Sequence, residues 1–247
     1  MIPRRLRLML PEHQSAFLWG PRKTGKTTLL RAAFPRSIVF DFLQTDLALA
    51  MTRRPSLLRE RLLARSAKEL REPVVLDEVQ KVPAVLDEVQ WLIENRSLRF
   101  LLCGSSARKL KRGRANLLGG RAWRFELFPL VTAELDEPDL LRMLNRGLLP
   151  SHYDTAQWRK SLEGYVVDYL KEEVFDEGLT RNVPAFSRFF EAMGWSHGEL
   201  TNFANIARES GVDSKTVKEY YQILCDTLLG RFVPPYKKRQ DRQLITK

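Results

Sequence analysis

Up to about residue 130 the chain alternates short apolar runs with longer amphipathic stretches. A parallel α/β sheet imposes that texture, because its strands are buried on both faces and its crossover helices on only one. The apolar runs predict five strands, at Ala16–Trp19, Ser37–Phe42, Pro73–Leu76, Arg99–Cys103 and Trp123–Leu127. Apolar residues at helical spacing predict helices between them, at Lys26–Phe34, Ser56–Leu70, Ala84–Glu94 and Ser106–Lys111. After Pro129-Leu130 the strand signals stop. Longer helical periods follow, at Thr155–Phe175, Pro184–Met193, Thr201–Ser210 and Ser214–Leu228. Arg146-Gly147-Leu148-Leu149-Pro150 reads as a connection, which divides the chain into an α/β domain, 1–150, and a helical domain, 151–247.

Composition changes this picture little. With 44% hydrophobic and 29% charged residues, the chain is of an ordinary folded type. No apolar run approaches the roughly 20 residues that span a bilayer. The basic opening Met1-Ile2-Pro3-Arg4-Arg5-Leu6-Arg7 lacks the apolar core of a leader, so it reads as a folded segment of a cytoplasmic protein with no membrane partner. Cys103 and Cys225 lie far apart and the three histidines are scattered. Neither a disulfide scaffold nor a metal held wholly by protein is indicated. The net charge of +11 fits a polyanionic partner, and it equally fits a solvated basic surface.

The chemistry begins at Gly20-Pro21-Arg22-Lys23-Thr24-Gly25-Lys26-Thr27, which fits G-x-x-x-x-G-K-[ST]. An apolar strand precedes it and a helix opening Thr28-Leu29-Leu30 follows, the context in which that pattern cradles phosphate. Glycines let successive backbone N–H groups turn toward phosphate oxygens, and the helix N-terminus adds partial positive charge. This reading gives residues 20–28 to ATP, with Lys26 on the β- and γ-phosphates and the Thr27 hydroxyl on Mg²⁺.

The hexapeptide VLDEVQ occurs twice, at Val75–Gln80 and Val85–Gln90. The first copy follows a β-branched run and should end a buried strand, at the sheet edge where ligands bind in open α/β folds. The second follows Val82-Pro83, and proline suits the first turn of a helix. Flanks rather than letters therefore assign Asp77 to the Mg²⁺ shell and Glu78 to the attacking water, leaving Asp87 and Glu88 on a solvated helix face.

Two further positions are nominated. Ser105, with Ser106 second, ends a strand beside the triphosphate and could report the γ-phosphate; serine there could equally cap the next helix. Arg121, before the last strand, could act as an arginine finger on a neighbouring subunit, which implies a homo-oligomer. The other reading of Arg121 is an ion pair within the chain.

Taken in order, GPRKTGKTTLL, PVVLDEVQKVP, LLCGSSARKL and GGRAWRFELFPL resemble the prokaryotic AAA+ type ATP-binding proteins that carry an uncharacterised helical, winged-helix C-terminal region. NFANIARESGVDSKTVKEYYQILCDTLLGRFVPPY is similar to that region, so the resemblance covers nearly the whole chain. It implies ATP binding, hydrolysis and a five-stranded P-loop core. Members of that family usually continue well past the position of Lys247, into a further α/β region resembling restriction-endonuclease-like folds. By that comparison this chain reads as C-terminally shortened.

Residues 206–214 independently read as a helix-turn-helix, with Gly211 at the turn and a following Asp or Ser cap. Val217, Tyr220, Tyr221 and Leu224 form its buried stripe, leaving Lys215, Lys218, Glu219 and Gln222 outward. Lys215, Lys218 and Gln222 could contact double-stranded DNA, with Leu228–Val233 as a wing and residues 200–235 as the whole module. Lys237-Lys238-Arg239 and the Arg108–Arg114 cluster are further phosphate candidates. The alternative is a domain that only buttresses the core or binds protein.

The expected protein is thus an AAA+-like ATPase acting on a macromolecular partner. A nucleotide-dependent switch with little turnover is the second reading. A small-molecule P-loop kinase ranks third, because an adjacent Asp-Glu pair suits water activation better.

Overall fold

In a computed structural model of the chain, β1 (Ser15–Trp19) is buried along its whole length. It runs parallel to β4 (Phe100–Gly104) on one side and β5 (Ala122–Glu126) on the other. β3 (Val74–Asp77) pairs with β4 and with β2 (Val39–Asp41), giving a five-stranded all-parallel sheet ordered β2-β3-β4-β1-β5. The structure describes residues 2–105, 110, 118–168 and 182–236. It divides into two compact units, Met1–Trp158 and Arg159–Lys247.

Every described strand pair is parallel, so the carboxyl ends of all five strands meet at one edge. β4 lies between β1 and β3 in that order. The residues leaving β4 therefore sit between the loop leaving β1 and the end of β3, and this juxtaposition builds the site. Ala16, Leu18, Val75, Leu101 and Cys103 form one core layer, to which Leu8 and Leu30 add. Both faces of β1, β3 and β4 are buried, which explains their nearly continuous apolar letters, Ser15 and Asp77 apart.

Four helices are described between the strands: α1 (Lys26–Ala33), α2 (Thr45–Arg53), α3 (Leu57–Leu63) and α4 (Val85–Arg96). α3 stops well short of the expected Leu70. At Ser66 the hydroxyl and backbone N–H both donate to the Glu69 carboxylate, 2.8 and 3.0 Å, and Arg65 pairs with the same group. That local side-chain turn competes with continuation of the helix. α2, absent from the expected elements, buries only Met51 completely. The helix expected at Ser106–Lys111 lies outside the described residues apart from Leu110.

Beyond β5 come α5 (Leu140–Arg146) and α6 (Pro150–Tyr153), then α7 (Trp158–Asp168), whose expected extension to Phe175 lies outside the described residues. The Asp139 carboxylate caps α5 by accepting from Arg142 N–H at 3.2 Å. Leu130 N–H donates to Leu148 C=O at 2.7 Å, so the expected connection at 146–150 packs back within the first unit.

The second unit is built on α8 (Val183–Trp195), α9 (Phe203–Ser210) and α10 (Ser214–Asp226). They enclose Phe186, Phe189, Ile206, Val217, Tyr220, Ile223 and Leu224. Phe186 meets Tyr220 edge-on at 4.9 Å, and Phe189 meets Tyr221 likewise at 5.0 Å, a favoured quadrupole geometry. Gly211, at φ 67, ends α9 in the left-handed region, and Asp213 then caps α10 by accepting from Lys215 and Thr216 N–H. Leu228–Val233, expected as a wing, holds no β-strand. Leu228 turns left-handed at φ 59, and the N–H groups of Leu229 and Gly230 both donate back to Leu224 C=O, at 2.9 and 3.0 Å. The chain is curled onto the end of α10 instead of extending.

Candidate functional site

The segment after β1 turns through two left-handed residues, Lys23 at φ 63 and Gly25 at φ 90. Gly25 stands at the N-cap of α1 with no side-chain cap, leaving the first-turn N–H groups for another acceptor. Gly20 has a different reason to be glycine, since a Cβ there would collide with the Leu127 carbonyl oxygen. Lys26 is buried, and its ammonium donates to the loop's own carbonyls, Gly20 at 2.7 Å and Pro21 at 3.0 Å. Thr24 Oγ1 also donates to Pro21 C=O, at 2.8 Å. A cavity of about 300 Å³ opens here, bounded by Arg22, Lys23, Lys26, Thr27, Thr28, Leu43 and Glu78.

The first VLDEVQ copy reaches the same place. Thr27 Oγ1 donates to Asp77 Oδ2 at 2.7 Å, and Asp77 Oδ1 accepts from Glu78 N–H at 3.0 Å. Glu78 is left-handed, φ 54 and ψ 42, a conformation that costs a non-glycine residue on the order of 1–3 kcal/mol. This twist re-aims the chain at the end of β3, and the Glu78 carboxylate accepts from the Gln80 side-chain amide. Burial raises the Glu78 pKa, with the Lys26 charge opposing it. Cys103 lies beside Asp77, and burial followed by that negative charge pushes its thiol pKa up, so it stays protonated and inert.

Ser105 is buried where β4 ends, and its Oγ accepts a long hydrogen bond from Gln80 Nε2 at 3.4 Å. Gln80 thus stands between Glu78 and Ser105, a role that its sequence pattern does not announce. The only signal was its place two residues after the acidic pair. Ser106 lies outside the described residues, as do the Arg108–Arg114 cluster apart from Leu110 and Lys237-Lys238-Arg239.

Arg121 is not brought to this cavity. It precedes β5, whose first residue is in register with Ser15, at the opposite end of β1 from the loop. Its guanidinium pairs with Glu94 of α4 at 2.8 Å. The second acidic pair is also remote in role: Asp87 is exposed and Glu88 pairs with Arg59 at 3.2 Å.

On the other side of the loop lies a larger, mostly apolar cavity of about 730 Å³. Ile2, Leu6, Leu8 and Met9 of the N-terminal segment line it, with Gly25, Thr28 and Leu29 of the loop and helix. Arg4 fastens that segment down. Its guanidinium donates to Thr24 C=O at 2.5 Å and Phe128 C=O at 2.6 Å, and pairs with Glu134 at 3.2 Å. Glu134 also accepts from Arg5 and Val131 N–H, and with Arg4 these bonds hold its carboxyl below the usual range despite burial. The signal available in the sequence was the alternation of Leu6, Leu8 and Leu10 with Arg5 and Arg7.

In the second unit, Lys215, Lys218 and Gln222 lie exposed on α10, opposite the buried Val217, Tyr220 and Leu224. The Lys218 ammonium sits 5.3 Å from the Phe203 ring centroid, and Gln222 donates to Asp226 at 2.9 Å.

A five-stranded parallel sheet whose edge gathers a glycine-turned loop, a buried lysine and a Thr–Asp pair defines a P-loop nucleoside triphosphatase fold. Residues 12–136 match the family model described as an AAA domain, and the chain belongs to that AAA family. Residues 137–247 match a model described as a domain of unknown function. Uncharacterized proteins of Mycobacterium bovis and Mycobacterium tuberculosis are each 29% identical over 250 aligned positions, covering 96% of this chain and 54% of their own. The chain thus spans about half the length of these relatives. Among solved structures, the Aeropyrum pernix ORC1 protein in complex with DNA aligns distantly, with TM-score 0.37 and 14% identity over 87% of this chain and 78% of that one. No helix among the described residues is long and apolar enough to cross a membrane.

Proposed function

We propose that the chain binds Mg²⁺-ATP at the loop after β1 and hydrolyses it to drive or regulate action on a macromolecular partner, duplex DNA being the first candidate. The observation that carries this is the hydrogen bond of 2.7 Å between Thr27 and Asp77, on the rim shared by the loop and Glu78. A hydroxyl and a carboxylate so placed suit a hard cation that keeps several waters. The donor set fits the group. Residues 20–28 would hold the phosphates, Thr27 and Asp77 the ion, and the apolar cavity under Ile2 and Leu6 the base. Bound there, Mg²⁺ would offset charge developing on the phosphate oxygens. Lys26 then exchanges the Gly20 and Pro21 carbonyls for phosphate oxygens, and Glu78 orients a water and draws its proton. Ser105 serves as sensor. Arg121, paired away from this site with Glu94, acts only across a subunit contact, in a homo-oligomer. The buried or half-buried free cysteines suit the cytosol.

Turnover of Mg²⁺-ATP with and without duplex DNA tests the reading, with Glu78→Gln as the blank. DNA-stimulated turnover lost in that variant is the expected result. Charge reversal at Lys215 and Lys218 should weaken DNA binding and flatten its salt dependence, each lost phosphate contact lowering the logarithmic slope by about 0.9. One observation favours the second reading, a switch with little turnover: the Glu78 carboxylate is already engaged by Gln80. Tight ATP binding without turnover in either condition would select it.

A further inference from the structure

Gln80 is fully buried, and its single amide nitrogen reaches two groups that follow different strands, Glu78 after β3 and Ser105 after β4. One N–H goes to the Glu78 carboxylate and the other to Ser105 Oγ at 3.4 Å. The amide oxygen, buried in turn, has no hydrogen-bond partner among the described residues. Such an oxygen carries a desolvation cost that packing must justify. The packing is specific, because a Cβ at residue 104 would run into that same oxygen; Gly104 leaves the space in which the Gln80 amide lies. The left-handed turn at Glu78 is what brings residues 78 and 80 to the same side of the strand end.

We propose that Gln80 is a positioning residue that couples the occupancy of the γ-phosphate subsite at Ser105 to the Glu78 carboxylate. The inference rests on the reading of the cavity as an ATP site. The chemistry follows from the donors available. While Ser105 Oγ accepts from Gln80, its own proton is directed elsewhere and can be donated to a phosphate oxygen. A phosphate drawing on that hydroxyl polarises it and strengthens its acceptance from Gln80, since chained hydrogen bonds reinforce one another. The amide then shifts toward Ser105 and loosens its hold on Glu78, freeing the carboxylate for water. Without a γ-phosphate, Glu78 stays tied to Gln80. No proton changes owner in this exchange.

The test compares the affinities of the whole chain for ADP and for a non-hydrolysable ATP analogue, both with Mg²⁺, in Gln80→Met, Ser105→Ala and the double variant. Methionine keeps the volume and removes both donors. Thermal melting shows which variants fold, and Ser105→Ala probes the same link from its other end should Gln80→Met unfold. ADP affinity should stay within about twofold, while each single variant loses roughly tenfold of the analogue's advantage, as expected for one buried hydrogen bond to a charged group. The double variant should lose little more than either single one, the non-additivity of contacting residues. Additive losses, or an advantage unchanged in a folded Gln80→Met variant, overturn the coupling. If the wild-type chain binds both nucleotides without turnover, hydrolysis fails but the coupling is still read. If it binds neither, both readings fall.

Discussion

Val75–Gln80 and Val85–Gln90 share every letter and almost nothing of their structure. The first finishes β3, turns left-handed at Glu78 and ends in a short 3₁₀ turn over Val79–Lys81. The second is helical from Val85 onward, as the opening of α4. In the first, Asp77 is buried against Thr27 and Glu78 faces the loop cavity. In the second, Asp87 is exposed and Glu88 pairs with Arg59, itself 5.1 Å from the Trp91 ring centroid. Six residues carry too little propensity to choose between these states. Val74 upstream and Pro83 between the copies, with the sheet into which the first copy is built, make the choice.

The comparison should break most sharply at the glutamates. Glu78→Gln is expected to lower turnover by about 10²–10⁴-fold, the usual worth of a positioned base, with ATP binding retained. Glu88→Gln should leave turnover within about twofold, and equal losses in a steady-state assay would dissolve the distinction. The apolar letters, by contrast, should behave alike. Leu76 and Leu86 are both fully buried, so Leu76→Ala and Leu86→Ala should each cost about 2–5 kcal/mol in denaturant unfolding. A much smaller loss in one would show that its copy is not core. The smallest effect belongs to the Arg59–Glu88 pair, partly exposed on both sides. A double-mutant cycle on stability should return no more than about 1 kcal/mol, shrinking with added salt.

The three central strands, β1, β3 and β4, were legible because a strand buried on both faces is apolar along nearly all of its length. All five strands fall within about two residues of their expected bounds. The turn between α9 and α10 was legible from its own letters. Gly211 is needed where φ is positive, and Asp213 supplies the oxygen that caps α10. The failures have physical causes too. α3 ends early because Ser66 and Glu69 satisfy each other locally. The expected wing curls onto Leu224, whose carbonyl takes two N–H groups. Arg121, expected to act on a neighbouring subunit, precedes β5 at the far end of β1 from its own loop and pairs there with Glu94.

The sequence alone determined the glycine-bearing turn between β1 and α1, since Gly20 and Gly25 stand where a side chain would clash or φ is positive, and it separated the two acidic pairs through their flanks. Tertiary structure decided what those pairs meet. Only strand order sets β4 between β1 and β3, and so puts Ser105 beside Gln80 and Glu78 across 25 residues of chain. Only folding brings Arg4 to Thr24 and Glu134 and forms the apolar cavity over the loop. Hydrogen bonds and charges act over a few ångströms, and sequence separation does not record those distances.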